Sequence, residues 1–236
     1  MHGVFITGTD TGVGKTRTGA ALAHLLTGRG LRVRPRKPVE SGCQAGPGGL
    51  APQDAAVLRE AAGCAEPLQR ICPYRLQAPL SPERAAELEG MALDLGRLHA
   101  ACVAGIGSGD FLLVEGAGGF YSPLARGALN ADLAGGLGLP VLVVAADRLG
   151  TLNHVLLTVE AVRMRGLALA GVILNQPVHQ PDPVMDNAAE LERWLQMPVL
   201  RLPYSGHSGV DAWRQEAALL APLADAWFAE EIESPR

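Results

Sequence analysis

A chain of 236 residues, 48% hydrophobic and 19% charged, has a globular composition and is rather short for two domains. Its net charge of −4, from 20 basic and 24 acidic residues, argues against nucleic acid or an anionic membrane as partner. Four cysteines without CxxC spacing, six histidines without an HxxxH pair and no signal-peptide pattern predict a cytoplasmic protein with reduced thiols and no zinc site. No apolar run exceeds strand length, so no membrane span is expected.

Residues 4–7 read as a buried strand, followed by a helix from Lys15 to Leu26 that Gly28 and Gly30 stop. A second strand covers about 31–36. The Gly/Pro-rich stretch 42–52 reads as a mobile loop over a site. Helices follow near 53–62, 81–89 and 94–105, the last two opened by the capping residues Ser81 and Asp94. FLLVE, 111–115, is an apolar strand ending in a carboxylate. Further strands fall at 140–146, 167–174 and 198–202, with helices near 151–164, 184–196 and 211–228. Continuous Val- and Leu-rich strands separated by helices predict strands covered on both faces. The fold class is therefore α/β: a P-loop NTPase-type, doubly wound, mainly parallel sheet with helices on both faces, in a single domain over 1–236.

GTDTGVGKT, 8–16, lies between the first strand and the first helix, where backbone N–H groups and a helix N-terminus face a bound anion. Gly12 and Gly14 let the backbone approach a phosphate, Lys15 reaches the terminal phosphates, and the Thr16 hydroxyl suits Mg²⁺. Five residues separate Gly8 from Gly14, where the usual loop has four. Either Gly8 lies outside the turn or the loop is one residue longer. Asp10 stands where partition ATPases carry an extra lysine, which weighs against that function. Glu115, at a strand's carboxyl end with EGAGG around it, is either a metal-site carboxylate or an acidic strand end meeting solvent. Asp54, opening a helix, is either a dipole partner or a metal ligand.

Only two of the 20 basic residues are lysines, Lys15 and Lys37, and Lys37 follows Arg32, Arg34 and Arg36. Arginine is expected to supply charge and solubility at the surface. A compact ammonium is expected where one cation must fit between two anions, since a guanidinium fork is broader.

With GTDTGVGKT, KPVESG (37–42) and EGAGG (115–119) in this order, the chain resembles the dethiobiotin synthase family. RLGTLNHVLLT (148–158) and Asn175 extend the likeness over about residues 3 to 205. The resemblance implies an ATP- and Mg²⁺-dependent ligase of biotin synthesis. It would turn 7,8-diaminopelargonic acid and CO₂ (as bicarbonate) into dethiobiotin through a carbamate and a carbamic–phosphoric anhydride. It further implies that Lys15, Lys37 and Thr11 lie at the carbamate and phosphates, with Gly12, Val13 and Gly14 cradling ATP. Ser41 would bind the substrate's polar head; Thr16, Asp54 and Glu115 would surround Mg²⁺, beside Gly116, Ala117 and Gly118. Asn175, Gln176, Pro203 and Tyr204 would meet the adenine. In a homodimer, the partner's Gly150, Thr151 and Asn153 would receive the substrate's carboxylate tail.

Other readings stand beside these. Asn175 is also a common strand-end turn residue, Ser41 a possible loop hydroxyl, and Thr151 and Asn153 good N-caps in their own right. His154 reads as a packed or capping residue and Cys43 as inert. Arg148 stands where the family has lysine, and Asn187 is the candidate for a missing tyrosine near the substrate's tail. NQPV, 175–178, lacks the Lys and Asp of a guanine-binding motif, which argues against a GTPase. The alternative of another class is a non-catalytic nucleotide-binding regulatory module. Such a module need not keep Lys37, Ser41, Thr16 and Glu115 together, nor end where a stand-alone enzyme would.

Overall fold

A computed structural model describes residues 2–46, 48–176 and 184–232. From the N-terminus, β1 (His2–Gly8) leads into α1 (Lys15–Gly28), then β2 (Arg32–Arg36), β3 (Val39–Glu40), β4 (Gln44–Gly46) and β5 (Gly49–Ala51). α2 (Gln53–Ala61), α3 (Leu68–Ile71), β6 (Tyr74–Arg75), α4 (Pro82–Leu88) and α5 (Leu95–Val103) precede the long strand β7 (Asp110–Gly119). Next come β8 (Pro123–Ala125), β9 (Ala128–Leu129), α6 (Asn130–Leu137), β10 (Val141–Ala146) and α7 (Thr151–Met164). β11 (Leu169–Asn175), α8 (Asn187–Leu195), β12 (Val199–Leu202) and α9 (Val210–Ile232) complete the order.

Six strands form one parallel sheet in the order β12–β11–β10–β1–β7–β2. Successive side chains of a strand point to opposite faces, and both faces are covered. Val4, Ile6, Phe111 and Leu113 pack with Leu22 and Leu26 of α1, Leu58 of α2 and Trp213 and Leu220 of α9. Phe5, Leu112 and Val114, the alternate positions, pack with Leu98 of α5, Leu133 of α6, Val159 of α7 and Leu191 of α8. This is the doubly wound sheet that the uninterrupted apolar strands predict.

Parallel strands bring their carboxyl ends to one edge, where α/β sheets bind ligands. The turn after β1, Lys37 after β2, Glu115 within β7, Asn175 at the end of β11 and Pro203 after β12 all emerge there.

The structure corrects several local expectations. The stretch 42–52 is no plain loop: β4 and β5 pair as an antiparallel hairpin, with Pro47 outside the described residues. β7 does not stop at Glu115 but runs on through the glycines until Gly119 pairs with Gly8, past an irregularity in register. The last predicted strand pair shifts little, but β11 begins at Leu169. Asp94 caps α5, accepting from the Arg97 N–H at 2.9 Å, whereas the Ser81 side chain makes no capping bond on α4. α7 is opened by Gly150 in the left-handed region, so Thr151 is its first residue and neither it nor Asn153 is the cap. α6 and the short ladders were not legible. α6 carries paired glycines, and two- or three-residue strands leave no periodicity.

Candidate active site

β1 ends at Gly8 and α1 begins at Lys15, so Gly8 lies outside the turn and the open question of loop length is settled. Gly12 (φ 74°) and Gly14 (φ 100°) adopt the left-handed backbone that favours glycine. Gly14 caps α1 without a side-chain bond, leaving the first-turn amides directed at the cleft as an anion site. Lys15 is only 6% exposed, and its ammonium donates to the Asp10 carbonyl at 3.0 Å. Burial, and then the neighbouring Lys37 charge, lower its pKa to about 8, which still leaves it protonated at neutral pH.

Lys37 is held at the centre of a carboxylate pair. Its ammonium lies 2.5 Å from Glu115 Oε1, 2.8 Å from Asp54 Oδ2 and 3.3 Å from the Gly116 carbonyl. Burial works to discharge it, but the Glu115 and Asp54 charges outweigh that and raise its pKa. The same burial pushes the Glu115 carboxyl up, against the Lys37 charge that pulls it down. At 2.5 Å from an ammonium, Glu115 is the ionised partner of this pair. Asp54, although burial opposes it, is held below the usual carboxylate range by Lys37. Thr16 donates to Glu115 Oε1 at 2.9 Å.

The arginines that surround Lys37 in sequence face elsewhere, and not only to solvent. Arg36 is fully buried and bonds Glu66 and the Ala104 carbonyl, while Arg32 and Arg34 pair with Asp110. The expectation that arginine serves only surface charge fails here: a guanidinium with several donors can satisfy several buried acceptors at once.

These groups line one cleft of about 600 Å³ with Thr11, Gly12, Gly14, Glu40, Ser41, Ala117, Gly118 and Ser122. Four residues of the segment 79–82 also line it, which sequence reasoning missed; PLSP there reads simply as a helix start. Glu40 accepts from the N–H groups of Asp54 and Ala55, both at 3.1 Å, and so sets the start of α2 and the place of Asp54. Asn130, fully buried and also unforeseen, accepts from the Ala117 N–H and donates to the carbonyls of Ala117, Gly119 and Ser122. It braces the glycine-rich end of β7 beside Glu115.

The residues expected at the adenine gather at the far side of the turn. Asn175 donates to the Val13 carbonyl at 3.1 Å and accepts from Arg17. The Gln176 side chain accepts from the Tyr204 N–H, and the Pro203 carbonyl accepts from Arg17. Gly150, Thr151 and Asn153 do not line the cleft of their own chain. His154 is exposed on α7 and caps nothing. The Arg148 guanidinium lies 3.9 Å from the Asp10 carboxylate. Asn187 donates to Asp147 at 2.7 Å and to the Arg148 carbonyl, holding α8 to the turn before α7. Cys43 is buried, which raises its thiol to about 11, consistent with an inert residue. The last two residues of NQPV lie outside the described residues.

A family model described as an AAA domain matches residues 2–207. An ATP-dependent dethiobiotin synthetase BioD from Anaeromyxobacter dehalogenans (strain 2CP-C) is 48% identical, over 95% of this chain and 98% of the relative. The protein of the same name from Ralstonia nicotianae (strain ATCC BAA-1114 / GMI1000) is 43% identical over 84% of this chain and 89% of its own. The chain belongs to the dethiobiotin synthetase family. A MinC:MinD cell division protein complex from Aquifex aeolicus shares the fold alone, with a TM-score of 0.57 at 14% identity over 100% of this chain and 99% of that one.

The donor set beside Lys37 suits Mg²⁺. Glu115 Oε2 is buried with no hydrogen-bond partner among the described residues, and Thr16 and Asp54 stand beside the same carboxylate. One or two carboxylates and a hydroxyl, completed by water and phosphate, are what this ion takes. The residues fit it. Among the described residues there is no cluster of three or more His, Cys, Asp and Glu for another metal, and no helix long and apolar enough to cross a membrane.

Proposed function

We propose that this chain is a cytoplasmic ATP-dependent dethiobiotin synthetase that carboxylates and cyclises 7,8-diaminopelargonic acid. One amine of the diamine takes up CO₂, giving a carbamate and a proton. A carbamate oxygen attacks the γ-phosphorus, the bond to the bridging oxygen breaks, and ADP leaves. The second amine then attacks the carbonyl carbon of the carbamic–phosphoric anhydride, closing the ureido ring and expelling phosphate.

The observation that supports this best is the convergence of both lysines with Thr16, Asp54 and Glu115 in one cleft. Two anions must be held in line at short range, and positioning and charge neutralisation are the main catalytic terms in phosphoryl transfer. In this reading Lys15 and the amides of Gly12, Val13 and Gly14 bind the phosphates, with Thr11 near the carbamate. Lys37, here paired with carboxylates, is the cation that faces carbamate and γ-phosphate. Thr16, Asp54 and Glu115 hold Mg²⁺, which when bound would neutralise phosphate charge. Gly116, Ala117 and Gly118 leave room beside Glu115, Ser41 binds the substrate's head, and Asn175, Gln176, Pro203 and Tyr204 meet the adenine.

A homodimer is the assembly we propose, with the partner's helix α7 N-terminus at Gly150, Thr151 and Asn153 receiving the substrate's carboxylate. Exposed Leu149 (92%), Leu157 (58%) and Met164 (77%) on and beside α7 support an interface on that face. The non-catalytic regulatory module is not favoured, because Lys37, Ser41, Thr16 and Glu115 are all retained around one cleft.

The test is a reaction with diaminopelargonate, ATP, Mg²⁺ and labelled bicarbonate, with mass detection of product. Labelled dethiobiotin, and phosphate release that requires both diamine and bicarbonate, are expected. Phosphate release without the diamine, or none with it, would overturn the reading.

A further inference from the structure

Arg17 lines the cleft but has no role in the reaction as proposed, yet it is the most connected side chain on the adenine side. It stands one residue after Thr16 on α1. Its Nη1 donates to Asn175 Oδ1 at 2.6 Å, its Nη2 to the Pro203 carbonyl at 2.6 Å, and its Nε to Glu216 Oε1 at 2.7 Å. Glu216, on α9, is only 4% exposed, and its second oxygen has no partner among the described residues. One guanidinium thus ties the ends of β11 and β12 to the first turn of α1 and to α9.

The consequence lies in the Asn175 amide. Guanidinium groups only donate and carbonyls only accept, so with Arg17 on one side and the Val13 carbonyl on the other, the amide has one orientation. Each end has used half of its capacity. One lone pair on Oδ1 and one hydrogen on Nδ2 remain, an acceptor beside a donor. Adenine presents the complement, the N6 amino donor beside the N7 acceptor; guanine presents two acceptors, O6 and N7. An amide free to turn over would place its donor against guanine O6 instead.

We propose that Arg17 is a positioning residue for base selection: by locking the Asn175 amide and the Pro203 carbonyl it makes the site prefer adenine over guanine nucleotides. Glu216 holds the guanidinium in place from α9. The inference rests on the proposed role of Asn175 at the base.

Titration calorimetry of MgATP and MgGTP, without the diamine, reads the lock directly. Wild type is expected to prefer ATP by roughly tenfold or more, the discrimination of a bidentate amide–adenine pair. Arg17→Met should lose most of that preference, with KM for ATP raised and kcat at saturating ATP within a few-fold of wild type. Asn175→Ala should show the same loss, and Arg17→Met in that background should lose nothing further. A wild-type protein without preference, an Arg17→Met variant that keeps it, or additive losses in the double variant would each overturn the proposal. Should Arg17→Met alone not fold, because Glu216 is left buried and unpaired, Arg17→Met/Glu216→Gln carries the same comparison. A protein that selects ATP but makes no dethiobiotin overturns the synthetase reading and leaves the lock standing.

Discussion

The ammonium of Lys37 and the carboxylate of Glu115 meet at 2.5 Å with side-chain exposures of 4% and 0%. With Asp54 at 2.8 Å, one ammonium pairs with two carboxylates, and the second positive charge that balances them comes from Lys15 nearby. In the proposed reaction, the nucleotide and the acidic substrate would bring new anions for the same ammonium.

Lys37→Arg keeps the charge but replaces a point donor with a planar fork in a space that is 3% exposed. Turnover should fall roughly a hundredfold or more while ATP binding survives, the scale seen when a single charge-stabilising donor is displaced. Steady-state kinetics beside nucleotide titration check this. Near-wild-type turnover would remove Lys37 from the mechanism.

Gly14→Ala places a Cβ 2.2 Å from Asn175 Nδ2 at a φ of 100°. A left-handed backbone alone costs a non-glycine residue about 1–2 kcal/mol, and the clash pushes Asn175 from its place. ATP affinity is expected to drop about tenfold or more, at an energy cost of about 1.4 kcal/mol per decade. Calorimetric titration measures it, and an unchanged affinity would mean the loop relaxes around the methyl group.

Asn130→Ala leaves the buried Ala117 N–H without its acceptor and takes a donor from the Ala117 carbonyl, while the Gly119 and Ser122 carbonyls keep backbone bonds from the N–H groups of residues 122 and 130. Buried unpaired polar groups cost about 1–3 kcal/mol each, so the melting temperature should fall by several degrees. Because the same strand carries Glu115, kcat should fall as well. A variant that melts lower but turns over normally would confine Asn130 to stability.

Asp110 is 4% exposed. It accepts from the Gly107 N–H at 2.7 Å, and that bond, followed by Arg32 and Arg34, holds its carboxyl below the usual range. In acid the unfolded chain therefore takes up a proton before the folded one does, and stability rises with pH there. The contribution is complete above the ordinary value of 3.8 and is lost as pH falls through the folded pKa. Asp110→Asn should flatten this acid limb and lower stability at neutral pH. Melting curves of both proteins down to about pH 3 compare them; parallel acid limbs would assign the linkage elsewhere.

A site shared between subunits predicts complementation. Lys37→Met disables one half-site, and Gly150→Asp sets a carboxylate where the substrate's tail would bind across the interface. Random exchange of the two inactive homodimers should restore about a quarter of wild-type activity, since half the dimers are mixed and each has one intact site. A mixture no more active than its parts would place each site within a single chain.

The doubly wound sheet was legible because apolar strands and amphipathic helices are written locally, in runs with the periods of the structures they form. β1, α1, α2 and α7 lie within a residue or two of their expected places. The phosphate turn was legible for the same reason: glycines, lysine and threonine lie within nine consecutive residues. Asp54 was ambiguous in the sequence, because an acidic residue at a helix start is ordinary. Its meeting with Lys37 removes the ambiguity of place, if not by itself of role. Ser81 shows the reverse, a local capping signal that the folded chain does not use.

The sequence by itself determined which segments become strands and helices, and that two lysines sit in motifs apart from eighteen arginines. Only the tertiary structure decided who meets whom. Lys37 and Glu115 are 78 residues apart, and Arg17 and Glu216 are 199 apart. Neither pairing has a local signature, because each depends on strand order and register. Those follow from burying both faces of one sheet at once, a condition on the whole chain that no short window contains.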